Sequence, residues 1–472
     1  MPPSPAPAGP PVSRTHRWLP AVGAFLVGAI AYGGLYCFPP LSIVFADQFH
    51  ASRTLAVTPW TVFLLVSGLC SPLLGRLYDV FLDRHLLTAG MLLLAAGWLL
   101  VTLAGDMGSL VLAYGIVLAL GLELVFVGTT TAIARRYAGA AGAALGIAYA
   151  GPGIGVAVAL PAVSALLTAA DWRMVTAGFG AAAVAGLPFV WLMTSGPAIL
   201  VPAARPAAAR PPSPAATPPA SAAPGAAPGE REPAATLSPS TDPPGSPLHE
   251  TSAPGAIGAA QEQAPAGSHT RPDTLRRTLR TRRFWILFAG AVAIGVFDEG
   301  VFQTFLPQAT GRGVSEALAT QALGLQSLAY VAGQVVGGSL SDRLGRRSVG
   351  LGALLVAAGG VTLAFGATGA TAALAVLGIV LHGAGTGTTI AVRSAAFSDV
   401  FGGPNFGAIF GVLAIAYPLG GMAAVYASGL SFDRLGNYWP VYGLALAGLA
   451  CWAGALVIAG PRRHGRAAHA AP

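Results

Sequence analysis

Long apolar stretches separated by short charged turns run the length of the chain. A helix rising about 1.5 Å per residue needs about 20 apolar residues to cross a hydrocarbon core ~30 Å thick. Twelve stretches reach that length, approximately at 18–46, 54–75, 86–105, 108–134, 139–168, 173–196, 284–309, 317–339, 347–367, 371–394, 405–430 and 438–460. No strand-like alternation accompanies them, which disfavours a barrel and predicts an all-α membrane protein. The first stretch is longer than the roughly 7–15 apolar residues of a signal peptide, so it reads as the first membrane helix. Pro39 and Pro40 inside it are expected to break or bend that helix.

The polar interruptions repeat. Residues 338–347 read G-S-L-S-D-R-L-G-R-R, and residues 75–84, which lie 263 positions earlier, read G-R-L-Y-D-V-F-L-D-R. Gly142, Gly146 and Gly155 match Gly407, Gly411 and Gly420 at an offset of 265, and T-T-A-I-A-R ending at Arg135 parallels T-T-I-A-V-R ending at Arg393. The landmarks predict two pseudo-symmetric six-helix bundles, at 18–196 and 284–460, with tails at 1–17 and 461–472. Between the bundles, residues 197–283 change character. They are rich in Pro, Ala, Gly and Ser, too poor in large apolar side chains to offset the entropy of ordering. A disordered linker is expected, ending in the basic run R-P-D-T-L-R-R-T-L-R-T-R-R, which suits anionic lipid headgroups or a topology anchor.

Composition agrees. The chain is 54% hydrophobic and 9% charged, against about 25% charged residues in soluble domains. Its 26 basic residues are all arginine and give a net charge of +8. No basic face with interleaved aromatics accompanies that charge, so nucleic-acid binding is not expected. Instead the arginines cluster in alternate loops, at Arg14, Arg17, Arg76, Arg84, Arg135, Arg136, Arg343, Arg346, Arg347 and Arg462. The positive-inside rule then places both termini in the cytoplasm of a cell whose inner (plasma) membrane holds the protein. Cys37, Cys70 and Cys451 all sit in apolar stretches with no pairing or metal-ligand spacing.

The cassette at Gly338, Asp342, Arg343, Gly345, Arg346 and Arg347, with its partial copy at Gly75, Asp79 and Arg84, resembles the signature loop of the major facilitator superfamily. The resemblance covers every predicted helix. It implies the major facilitator fold, and a latch in which the cassette Asp pairs with arginine to close the cytoplasmic side. Three stretches resemble the monocarboxylate porter and oxalate–formate antiporter groups: F-H-A-S-R-T-L-A-V-T-P-W, R-R-Y-A-G-A-A-G-A-A-L-G-I-A-Y-A-G-P-G-I-G, and F-G-A-I-F-G-V-L-A-I-A-Y-P-L-G-G with G-L-S-F-D-R-L-G-N-Y after it. Those groups carry an arginine on helix 8, four residues before the signature glycine, to hold a substrate carboxylate. This chain has Gln334 there and no cation on that helix. The sequence therefore offers no fixed positive charge at mid-membrane.

Four ionisable residues fall inside predicted helices: Glu123, Asp298, Glu299 and His382. A charge at mid-membrane costs on the order of 2.5–3.5 kcal/mol on insertion scales, so such residues face a cavity or a partner. Taking Arg135, Arg283 and Arg393 as rim markers puts Glu123, Asp298 and His382 roughly 18, 22 and 16 Å deep. Glu123 and His382 are then pseudo-equivalent and expected to face each other across the central cavity, contacting substrate or proton. A structural ion pair is the alternative. Asp298 and Glu299 lie about 100° apart on the helix, so one of them, Asp298 by preference, is expected to face the cavity. H-E-x-x-H, P-loop and G-x-S-x-G motifs are absent, so no enzymatic activity, ATP use or cofactor is expected. The sequence points to a secondary transporter that moves a small organic solute by alternating access with protons, acting as a monomer in the lipid bilayer. A monocarboxylate or related anion is the substrate the resemblance implies. A proton-driven exporter of cationic compounds and a non-transporting sensor are the alternatives.

Overall fold

A computed structural model describes residues 18–137, 141–195, 275–401 and 406–461. Residues 197–274 of the predicted linker, the N-terminal tail and residues 462–472 lie outside the described residues, while the basic end of the linker is described and holds a short helix, Leu275–Thr278. Among the described residues twelve helices of membrane-crossing length are present: α1 (Leu19–Gln48), α2 (Arg53–Val80), α3 (Asp83–Thr102), α4 (Met107–Arg136), α5 (Ala141–Ala169), α6 (Trp172–Thr194), α7 (Arg282–Gly311), α8 (Glu316–Leu344), α9 (Arg346–Gly366), α10 (Ala372–Phe401), α11 (Phe406–Ala414 continued as Ala416–Leu435) and α12 (Trp439–Ala459). Eleven are apolar enough to read as spans by hydropathy alone. The exception is α8, whose cavity-facing side carries Gln326, Ser327, Tyr330 and Gln334. Among the described residues there is no strand.

Local chemistry sets the ends. Side-chain oxygens of Ser52, Asp171, Thr281 and Ser315 accept backbone N–H groups at the starts of α2, α6, α7 and α8, satisfying donors that the first helical turn leaves orphaned. Asp106 and Ser109 cap α4 reciprocally. The backbone N–H of Ser109 holds the Asp106 carboxyl below the usual carboxylate range. Pro39 and Pro40 do break α1, into Leu19–Leu35 and Phe38–Gln48. In α4, Val111–Leu118 wind as a π-helix one turn before Glu123, a distortion that recurs at functional sites.

The internal repeat is visible in the packing. Within the first half α1 packs on α5, and α3 on α4 and α6. Within the second, α7 packs on α11 and α12, and α10 on α8 and α9. The halves meet along two seams, α2 with α11 and α5 with α8, and exchanging the halves maps one seam onto the other. A Cβ at Gly155 would overlap the carbonyl oxygen of Ala29, and one at Gly420 that of Val292. The two contacts lie 265 and 263 positions apart, so they are the same helix crossing made twice. Gly420→Val is expected to force α7 and α11 apart and to abolish the monodisperse peak in size-exclusion chromatography. The matching Gly155→Val should do the same to α1 and α5.

A repeated ion pair shows the same register with its polarity reversed. Asp83 at the start of α3 pairs with Arg135 at 2.9 Å, and Arg346 at the start of α9 pairs with Asp399 at 3.1 Å. Contact position is kept across the duplication while acid and base change places. Both pairs mark one end of the molecule, called here the cassette end.

Candidate functional site

Between the halves lies a cavity of about 640 Å³. Its walls come from α1, α2, α4 and α5 on one side and α7, α8, α10 and α11 on the other. They continue towards the cassette end through Arg393, Ser394 and Phe397 on the last turns of α10 and Phe410 on α11.

The opposite end is closed. Asp433 at the end of α11 accepts the backbone N–H groups of Arg53 and Thr54 at 2.8 and 2.9 Å, and the Thr54 hydroxyl at 2.6 Å. A carboxylate of one half thus caps the first turn of α2 in the other, where helix dipole and orphan donors both favour it. A gap of about 10 Å³ beside Arg53, Gln303 and Tyr438 remains there, room for about one water. Asp433 heads a D-R-L-G run that repeats Asp342–Gly345, and both glycines take positive φ, +68° and +93°. Asp433→Ala should loosen this clasp. With Cys37, Cys70 and Cys451 replaced by serine, labelling of Val57→Cys by an impermeant maleimide should then rise severalfold over the Asp433 parent. An unchanged rate would exclude the clasp.

Glu123, Asp298, Glu299 and Gln334 all line the cavity. Both members of the Asp298–Glu299 pair do so, where one was expected. The reason is Tyr417 on α11, whose hydroxyl reaches Oδ2 of Asp298 at 2.7 Å and Oε1 of Glu299 at 3.5 Å and so draws the two carboxylates to one place. The indole of Trp60, from the other half, donates to Oε2 of Glu299 at 3.0 Å. Glu123 stands on the far wall near Ser67 and Ser71, and its Oε2 has no hydrogen-bond partner among the described residues.

His382 does not face Glu123. It is fully buried behind the cavity wall, its ring tilted against Phe297 with centroids 5.1 Å apart, with Nε2 3.7 Å from Oδ1 of Asp298 and neither nitrogen hydrogen-bonded among the described residues. The expectation failed through register. Arg393 served as a rim marker, yet α10 runs eight residues beyond it to Phe401. The ion pairs and glycine contacts fix the repeat at 263 to 265, which aligns Glu123 with Thr386 and Arg135 with Asp399 rather than with Arg393.

The same misreading hid the cation. Arg393 lines the cavity with its guanidinium 5.1 Å from the Tyr417 ring centroid. Among the described residues it forms no ion pair, and its Nη1 is buried without a hydrogen-bond partner. The site therefore has a fixed positive charge, supplied by α10 instead of α8. Tyr330 and Gln334, one turn apart on α8, also line the cavity. Signals for Arg393 existed: the apolar and small residues from Ser394 to Phe401 continue a helix past it.

At the cassette end Arg346 bridges Asp342 and Asp399 and donates to Ser341 at 2.6 Å. Arg347 donates to the carbonyl of Val457 at 2.5 Å, and Gly345 makes the turn with φ +93°. All these contacts stay within the second half. In the first copy Gly75 is buried, and Arg84 lies over the Trp191 ring and donates to Thr194 and Ser195. The Asp79 side chain lies outside the described residues. Arg343 and Gly338 lie on the last turns of α8, and Gly338 leaves an ordinary van der Waals distance to Ala391.

A profile of the Major Facilitator Superfamily matches residues 24–307 and 288–471. The chain belongs to that superfamily. Two structures of a bacterial homologue of the human lysosomal transporter Spinster share the superfamily fold with it. One is inward-facing and occupied (TM-score 0.62, 14% identity) and one inward-facing and unoccupied (TM-score 0.60, 15% identity); each comparison covers 95% of both chains. The chain is also 26% identical over 148 residues to the MFS-type transporter pytF of Aspergillus terreus. That match takes in 30% of this chain and spans about half the length of the curated relative, 49%. As a superfamily member with twelve crossing helices, it is a multi-pass membrane protein.

Proposed function

We propose that this protein is a secondary active transporter that carries an organic anion across the cytoplasmic membrane by alternating access, together with protons. One observation supports the reading: among the described residues Arg393 is a cavity guanidinium without an ion-pair partner. A cation inside a membrane protein with no carboxylate in direct contact is costly, and a planar donor fork matches a carboxylate in two-point contact. This supports the carboxylate class suggested by the resemblance to monocarboxylate and oxalate–formate carriers, with Arg393 in place of the helix 8 arginine.

Coupling follows from charge balance. Glu123, Asp298 and Glu299 share the cavity with Arg393. A substrate carboxylate adds a further negative charge where dielectric screening is weak, so protonation of the Asp298–Glu299 pair favours its arrival. The arginine-rich loops favour a cytoplasmic cassette end and cytoplasmic termini. The clasp at Asp433 then closes the outer side, and the cassette pairs Asp342–Arg346 and Arg346–Asp399 rearrange as the latch when the cytoplasmic side closes. The carrier is taken to work as a monomer, with the 197–283 segment as a cytoplasmic linker.

A second reading has one observation in its favour: Glu123 with its unpartnered Oε2 suits a cation, as in a proton-driven exporter. Proteoliposomes separate the two. With the interior alkaline, radiolabelled monocarboxylate should accumulate above its equilibrium level and an added cationic dye should not be expelled. Dye movement without anion movement would reverse the assignment. A sensor would move neither, and removal of residues 200–270 would leave a carrier active.

A further inference from the structure

The cavity is large and aromatic. Nine of its 29 lining residues are Phe or Tyr, about 31%, where the whole chain has 8% Phe, Trp and Tyr together. Its volume of about 640 Å³ lies within the roughly 300–1,000 Å³ typical of sites for drug-sized ligands. A three-carbon hydroxy acid has six non-hydrogen atoms. Even at one water's share of ~30 Å³ for each atom, it would occupy less than a third of that space.

The cavity also holds two polar poles on opposite halves. On the second half, Arg393 stands over Tyr417 with Nη1 unpaired. On the first half, Oε2 of Glu123 and Oγ of Ser67 both lack partners among the described residues. In the same cavity Phe126 stacks on Tyr149 with centroids 6.2 Å apart, and Tyr32, Tyr36, Phe302 and Tyr330 also line it. An ionised carboxylate only accepts hydrogen bonds, so the group that satisfies Glu123 must donate.

We infer that the ligand is an aromatic carboxylate with a hydrogen-bond donor at its far end: the carboxylate on Arg393, the ring among the tyrosines and phenylalanines, the donor on Glu123. This rests on the anion reading above and narrows it. Flat rings pair with aromatic walls in offset or edge-on contact, whereas a small hydroxy acid leaves those walls wet. A ligand of this length touches both halves at once.

The test is binding to the purified full-length protein in nanodiscs, measured by calorimetry. The probes are 3-(4-hydroxyphenyl)propionate, 3-phenylpropionate, lactate and methylphenylpyridinium. The hydroxyaryl acid should bind about tenfold or more tighter than the phenyl acid, from a hydrogen bond to a charged group. It should bind at least a hundredfold tighter than lactate. Glu123→Gln should narrow the first gap, and Phe126→Leu the second. Lactate binding as tightly as the aryl acids, with dependence on Arg393 retained, would overturn this inference and leave the anion reading standing. Equal affinity for the two aryl acids would overturn the role given to Glu123. Binding of the pyridinium alone would overturn both readings. The wild-type panel decides these outcomes even if a variant fails to fold.

Discussion

Arg393→Gln is expected to abolish transport of organic anions while leaving the protein folded. Arg393 forms no ion pair among the described residues, so its removal unpairs no acid in the way that breaking a structural salt bridge would. What it removes is the partner of the substrate carboxylate. Truncating one side of a buried, hydrogen-bonded charge pair costs about 2–5 kcal/mol, which corresponds to a loss of affinity of roughly 30-fold or more. Arg393→Lys separates charge from shape. It keeps a cation but loses the planar fork and the stacking on Tyr417, so it should retain weak binding with poorer discrimination among carboxylates. Uptake into proteoliposomes and calorimetry on the same preparations check both expectations. Wild-type affinity in Arg393→Gln would remove the anion subsite.

The second large effect is on coupling. Asp298 and Glu299 are joined through Tyr417, and Glu299 is held from the other half by Trp60. A change of charge at this pair is therefore felt across the interface between the halves. The double variant Asp298→Asn with Glu299→Gln should accept and release substrate without protons. Its accumulation ratio should fall to one, and its uptake should become insensitive to an imposed pH gradient. Exchange of labelled for unlabelled substrate, which needs no net proton movement, should continue. Wild-type uptake, by contrast, should rise as the outside is made more acidic than the inside. Trp60→Phe keeps the aromatic packing against Phe63, at 4.8 Å, and removes only the donor to Glu299, so it should shift the pH profile with little effect on expression. A double variant that still concentrates substrate under a pH gradient would clear this pair of the proton role.

Much of the fold was legible in the sequence because membrane crossing imposes a length and a composition that few other structures need. Apolar runs of spanning length mark the helices, Pro39 and Pro40 announce a break, and Gly155 and Gly420 announce the same crossing twice. The site was only partly legible. Glu123, Asp298 and Glu299 stand out because an acid in an apolar run is expensive, and the cost does not depend on context. An arginine near a helix end is ambiguous, since the same residue serves as rim anchor or cavity cation depending on how far the helix continues. Arg393 fell on the wrong side of that ambiguity and took His382 with it. Asp433 was hidden for a different reason. Its effect depends on the α2 backbone N–H groups of the other half, and no local pattern names a partner some 380 residues away.

The central claim is that an organic anion binds at Arg393 between the two halves and crosses with protons. Its most direct test is proton movement driven by the anion itself. Proteoliposomes holding a pH-sensitive dye and carrying no initial gradient receive 3-(4-hydroxyphenyl)propionate outside. The account predicts rapid internal acidification with wild type, beyond the slow leak seen in protein-free vesicles, and only that leak with Arg393→Gln. Equal acidification in the two proteins, or none in wild type while labelled anion enters, would contradict it.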